Sequence, residues 1–229
     1  MNFDAVLASL PLYLGGLLTT VKLLLMSLAI GLAGALPLAV LRASSSPRLS
    51  APVWCFTYLM RGTPMLVQLF ILYYGLAQFE AVRDSAAWPL LSSAWFCAVL
   101  AFGLNTCAYT TEIIAGALRA GSPGELEAAQ SLGLSRTAVW RRILLPSALR
   151  RALPAYGNEV IMMLHGTSLA SIVTLADLTG AAREVNSRFY LPFEAFITAG
   201  LFYLALTLLL VALFRAAEQR WLLHLQPRR

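Results

Sequence analysis

Long apolar runs recur along the chain, separated by short polar intervals. Runs free of Asp, Glu, Lys and Arg fall at residues 23–41, 62–79, 85–111, 160–176 and 195–214. A transmembrane helix needs about 20 mostly apolar residues, so each run is read as the centre of a membrane span. That makes five spans, some extended past these limits by helix that carries charge. Residues 5–21 are also apolar, and a sixth crossing there is the alternative. Pro11, Gly15, Gly16 and Lys22 argue instead for an interfacial lead-in, with Lys22 snorkelling to the nearer surface. Met1, Asn2, Phe3 and Asp4 supply no basic stretch and no cleavage site follows. The first span is therefore expected to be an uncleaved signal anchor.

Composition agrees. Of 229 residues, 59% are hydrophobic and 12% charged, whereas a soluble domain carries about 25% charged residues. A net charge of +6 would suit nucleic acid, but the arginines flank apolar spans, as membrane orientation requires. With the N-terminus outside, twelve fall inside: Arg42, Arg48, Arg119, Arg136, Arg141, Arg142, Arg150, Arg151, Arg215, Arg220, Arg228 and Arg229. Only Arg83, Arg183 and Arg188 fall outside. The polar segment 127–146 then faces the cytoplasm, as does the C-terminus. No repeat or low-complexity tract divides the chain, so residues 1–229 read as one all-α, polytopic membrane domain. Cys55, Cys97 and Cys107 lie in apolar stretches without metal or redox spacing and read as small core residues. No metal site is expected.

The cytoplasmic segment, about 122–146, has its own helix signals. Ser122 suits an N-cap, Pro123 the first helical position, and Glu125 completes a capping box. That helix is predicted to run to Leu132, with Gly133 ending it in a left-handed conformation. Ser135 then caps a second helix bearing Trp140, Arg141 and Arg142 up to Pro146. Two short helices at an angle form a compact knob; the plainer alternative is a solvated hairpin between spans. The chain has no P-loop, because its single lysine, Lys22, precedes Leu23 within apolar sequence. Nucleotide chemistry therefore belongs to a partner.

Ionisable groups within spans face an interior or a water-filled path. Arg61 precedes Gly62, Thr63 and Pro64, where Pro64 removes a backbone donor and frees carbonyls to line a cavity. The alternative places Arg61 among lipid phosphates. Asn105, Tyr109, Glu112, Gly116 and Arg119 recur at helical spacing as one polar stripe. Glu112 is read there as a structural ion pair with Arg61 or Arg119. Glu159, past the kink-prone Pro154 and Gly157, shares a face with Met162, Met163 and Gly166, while Asn158, Met162 and His165 share the next. A carboxylate at that depth attracts an α-ammonium, a guanidinium or a lysine ammonium, with the methionines packing on its carbon stem. Alternatively Glu159 satisfies a neighbouring helix. His165 has no second histidine near it, and Gly166-Thr167-Ser168 lacks the G-x-S-G pattern of a membrane protease. The candidate substrate-binding set is Glu159, Asn158, Met162, Met163, His165, Arg61 and Leu66. A rival reading makes Glu112, Glu159 and His165 the proton path of an ion-coupled carrier or channel, although carriers usually show internal repeats.

Glu127-Ala128-Ala129, then Gly133, then after nine residues Ile143-x-Leu145-Pro146, resembles the coupling loop of bacterial ABC-importer permeases. Arg61-Gly62-Thr63-Pro64 followed by Gln68 is similar to a signature of their polar-amino-acid branch. Residues 104–112, 145–150 and 153–161 look like the M-type membrane subunits of histidine and lysine/arginine/ornithine importers. One departure is His165-Gly166, where many relatives carry Lys-Asp or Lys-Asn. The resemblance implies a type I importer permease fold in the bacterial inner membrane and a transport subunit rather than an enzyme. It implies import of polar, expectedly basic, amino acids by alternating access. It further implies a second homologous permease subunit, two cytoplasmic ATPase subunits holding ATP and Mg, and a periplasmic solute-binding protein. By the same resemblance Glu127, Ala128, Ala129, Gly133 and Arg141 meet the ATPase. Residues 174–190, amphipathic with Asp177, Arg183, Glu184 and Arg188, are expected to form a periplasmic helix that docks the binding protein.

Overall fold

A computed structural model describes residues 7–121 and 131–221, and between them Gly124, Glu127 and Ala129. Every regular element among the described residues is helical. The first, α1 (Leu10–Ala43), is a single helix of 34 residues, about 51 Å at 1.5 Å per residue. The expected interfacial lead-in and first span are thus one continuous helix, and no break permits a separate crossing before residue 23. Pro11 sits in its first turn, where the missing N–H costs nothing. Gly16 marks a packing site rather than a break, since a Cβ there would lie 2.7 Å from the Asp177 carbonyl oxygen. Below it, Thr20, Ser27, Gly31, Ala35 and Ala39 recur near every fourth position on the buried face. Small residues at this spacing let helices approach closely where burial in lipid supplies little drive.

After Ser46, α2 (Pro47–Gly62) starts with Pro47 at its first position. A bend of 100° at Thr63 and Pro64 separates it from α3 (Met65–Phe70), which continues as one wide turn over Ile71–Gly75 and a tight turn over Leu76–Gln78. Two short helices follow, α4 (Glu80–Arg83) and α5 (Trp88–Leu91). The third apolar run therefore begins outside the span. Pro89 opens α5, and the long helix α6 (Ala94–Arg119) starts only after Ser93, whose Oγ accepts from the Phe96 N–H at 3.4 Å.

Within the polar segment 122–146, α7 (Arg136–Val139) runs through a wide turn, Trp140–Leu144, into α8 (Leu145–Gly166). Pro154 lies inside α8 without ending it. A tight turn over Thr167–Val173 and a left-handed Thr174 (φ 68°) lead into α9 (Leu178–Phe189), bent 47° from the preceding stretch. Last comes α10 (Pro192–Trp221).

Three helices, α1, α6 and α10, are long and apolar enough to cross a membrane, and up to five spans result if each bent pair crosses once. The most apolar stretch of α6 is 72% buried, against 33% for α1 and 6% for α10. So α6 is the central post and α10 lies at the rim. Leu23, Leu24, Leu69, Phe102, Met163 and Leu164 form the core around α6. A second cluster of Tyr13, Leu178, Ala181, Val185 and Ala195 lies beneath α9. Cys97 and Cys107 are buried as expected, but Cys55 is exposed on α2.

Candidate functional site

The break in the second span builds the site. Pro64 has no N–H to donate, and Thr63 takes an extended conformation (φ −114°, ψ 143°), so the last carbonyls of α2 lose their helical partners. Side chains replace them. Thr63 Oγ1 donates to the Leu59 carbonyl at 2.9 Å, and Gln68 Nε2 donates to the Met60 carbonyl at 2.7 Å. Irregular backbone at membrane depth is tolerated where it lines a cavity. One of about 400 Å³ opens here, lined by Arg61, Gly62, Thr63, Pro64, Met65, Asn105, Tyr109, Glu159, Met162 and Met163.

Its walls come from three elements. The bend supplies Arg61 and Met65, α6 supplies Asn105 and Tyr109, and α8 supplies Glu159 with its two methionines. The Arg61 guanidinium lies 5.1 Å from the centre of the Tyr109 ring, a cation–π contact that holds the charge at the cavity. Glu159 is buried, as is Met163, while Met162 is exposed. A carboxylate and a guanidinium thus face one space, and no direct ion pair joins them. The cavity presents charge of both signs, polar oxygens and sulfur-bearing apolar surface.

Three residues of the candidate substrate-binding set lie outside the lining of this cavity. Successive helical residues diverge by about 100°, so Asn158 and His165 turn away from the face of Glu159. Asn158 borders a separate cleft with Phe214, Arg215 and Glu218. His165 Nε2 lies 3.1 Å from Thr207 Oγ1 and joins α8 to α10. Leu66 stays outside the cavity, and its neighbour Met65 enters instead. Asn105 and Tyr109, read as structural, prove to be wall residues.

Glu112 lies apart from this cavity in a clamp of its own. Arg42 Nε donates to its Oε1 at 2.6 Å, Thr57 Oγ1 donates to the same oxygen at 2.7 Å, and Arg119 Nη2 lies 3.6 Å from Oε2. The Arg119 alternative therefore holds and the Arg61 alternative does not, because Arg61 is engaged with Tyr109. Arg42 was missed; nothing local in the sequence brings it to Glu112 across seventy residues.

In the polar segment 122–146, Gly124, Glu127 and Ala129 are helical. The proposed cap of Ser122 with Glu125, and Ala128, lie outside the described residues. Gly133 adopts φ 71°, and the Leu134 N–H donates to the Ala129 carbonyl at 3.2 Å, a closure that ends the helix as expected. Ser135 Oγ accepts from the Ala138 N–H at 3.3 Å, capping α7. Glu127, Gly133 and Arg141 are exposed, whereas Ala129 is buried within the chain. On the opposite side of the bundle, the expected amphipathic helix is α9. Asp177 Oδ1 accepts from the Gly180 N–H at 2.9 Å, and Tyr203 donates its hydroxyl to Oδ2 at 3.1 Å. These bonds pin α9 down, with Arg183, Glu184 and Arg188 turned outward.

Against known proteins, residues 31–223 match the family described as the binding-protein-dependent transport system inner membrane component. The chain is 49% identical over 213 residues to the histidine/lysine/arginine/ornithine transport system permease protein HisM of Escherichia coli (strain K12), covering 93% of this chain and 90% of that protein. It is 42% identical over 219 residues to the nopaline transport system permease protein NocM of Agrobacterium fabrum, covering 95% and 91%. A crystal structure described as an amino acid ABC transporter with histidines superimposes with a TM-score of 0.85 at 34% identity, covering 96% of this chain and 99% of that one. The chain therefore belongs to the inner-membrane permease components of binding-protein-dependent ABC transport systems. It is an all-helical, multi-pass membrane protein with the type I permease fold, and the ion-coupled carrier reading is not favoured.

Proposed function

We propose that this permease carries basic amino acids inward through the cavity between the bend, α6 and α8. The observation that carries the reading is the placement of Glu159 and Arg61 on one cavity. Every α-amino acid bears an ammonium and a carboxylate, which these two side chains complement. A basic side chain adds a second cation suited to the buried carboxylate, and Met65, Met162 and Met163 pack against its aliphatic stem. The relatives whose names include lysine, arginine and histidine support the substrate class.

In this reading the chain crosses the inner membrane five times, with its N-terminus outside and C-terminus in the cytoplasm. A second homologous permease subunit pairs with it. Two ATPase subunits engage the segment carrying Glu127, Gly133 and Arg141, and a periplasmic solute-binding protein docks over α9. ATP binding opens the cavity outward and hydrolysis returns it inward, a cycle that requires each ligand to favour one state over the other.

Uptake into proteoliposomes holding the complete transporter tests the substrate reading. Glu159→Gln is expected to reduce arginine and lysine uptake about tenfold more than glutamine uptake, the effect of losing one charge contact of roughly 1.4 kcal/mol. An equal fall for cationic and neutral amino acids assigns Glu159 a structural role instead.

A further inference from the structure

The bend that exposes the cavity is held by one side-chain amide. Gln68, buried on the first turns of α3, directs Nε2 at three oxygens: the Met60 carbonyl at 2.7 Å, Thr63 Oγ1 at 2.8 Å and the Thr63 carbonyl at 3.1 Å. With the Thr63 hydroxyl already donating to Leu59, only the nitrogen end of the amide suits that site, because its oxygen would face acceptors alone. From α6, Asn105 Nδ2 donates to Gln68 Oε1 at 3.0 Å and reaches the Met60 carbonyl at 3.4 Å. Asn105 therefore fixes which way the Gln68 amide points, and the amide fixes the end of α2 against the start of α3. Arg61, Gly62, Thr63 and Pro64 are the residues between those anchors, and all four line the cavity.

We propose that Gln68 and Asn105 are positioning residues for substrate binding, a relay that locks the broken span at its 100° angle and thereby holds Arg61 at the cavity. Gln68 itself lines an apolar groove behind the bend and not the substrate cavity, so its action is through the backbone it caps. Asn105 borders the cavity, and its Nδ2 is committed to Gln68 and Met60. The proposal rests on the reading of this cavity as the amino-acid site.

Equilibrium dialysis of radiolabelled L-arginine against the purified complex with its partner subunits tests the relay. Gln68→Met keeps the volume and removes donors and acceptor together; Asn105→Ala removes the group that orients the amide. Each is expected to raise the Kd for arginine about tenfold, with complex of full size recovered on gel filtration. The double variant is expected to bind no more weakly than the weaker single, because Asn105 acts through Gln68. Unchanged Kd in both singles, or losses that multiply in the double variant, overturns the proposal. If Gln68→Met fails to assemble, the same cycle is run with Gln68→Asn, whose shorter amide keeps the polarity but falls short of the Met60 carbonyl. Glu159→Gln, measured alongside, separates the two ideas. If it alone weakens arginine binding, the cavity stands as the site and the relay falls. If it and the Gln68 variants all bind arginine like the unaltered complex, the cavity reading itself falls.

Discussion

A carboxylate among apolar helices is stable only where its charge is matched, and Glu112 is matched by Arg42, Thr57 and Arg119 from three stretches of chain. Arg42 is held in turn, donating through Nη1 to Ser50 Oγ at 3.1 Å. The clamp ties the end of α1 and the middle of α2 to α6, outside the cavity. Glu112→Ala leaves the mostly buried Arg42 without its carboxylate, while Arg119 stays solvated, and is expected to lower the stability of the complex by about 2 kcal/mol, below the range for a fully buried ion pair. Glu112→Gln keeps an oxygen for Arg42 and Thr57, so its thermal shift is expected to be smaller; equal shifts count against the clamp. That Glu112 needed a partner was legible, because an acid in an apolar run has few options. The partner was not, since residues 42 and 112 meet only through the register of α1 on α6. Glu159 shows the same division. Its face with Met163 follows from helical periodicity, but Asn158 and His165, one step round the helix, meet α10, and no local pattern announces that contact.

Among the elements, legibility depended on whether a residue's role was local. Gly133 and Ser135 act on their own backbone, and both helix-end signals took effect as the sequence predicts. Pro64 likewise broke the second span by its own chemistry. Gly16 carried no local instruction: it reads equally as a break or as a contact, and the Asp177 backbone against it decides for contact. That is why α1 runs unbroken where a lead-in was expected. The turn at Gly133 offers the sharpest test at this scale. Gly133→Ala places a Cβ at φ 71°, a strain of about 1–2 kcal/mol, on the turn that sets the angle between the knob's two helices. Uptake by the complete transporter is expected to fall several-fold while arginine binding in detergent holds. A parallel fall in both would mean that the turn serves folding alone.

For the whole molecule, the path of the chain links the polar segment 122–146 to the cavity, the route the proposed coupling requires. The knob leaves from the end of α6 and returns through α8, and these two helices carry Tyr109 and Glu159, facing walls of the same space. Arg151, near the start of α8, closes that loop. Its Nη2 and Nε donate to the Ala117 carbonyl in the last turn of α6 at 3.2 and 3.4 Å, and its Nη1 donates to Ser147 Oγ at 2.7 Å. A cation at a helix C-terminus is favoured by the helix dipole as well as by these bonds. Under the proposed coupling, a push on the knob is expected to move α6 and α8 together while their ends are tied, and to tilt one past the other when they are not. Arg151→Met keeps the apolar stem and removes the tie. In proteoliposomes carrying the complete transporter, this variant is expected to keep ATP hydrolysis near the unaltered rate while arginine uptake per ATP falls several-fold. Hydrolysis and uptake falling in step would place Arg151 in assembly of the complex instead, and leave the knob to act on α8 alone.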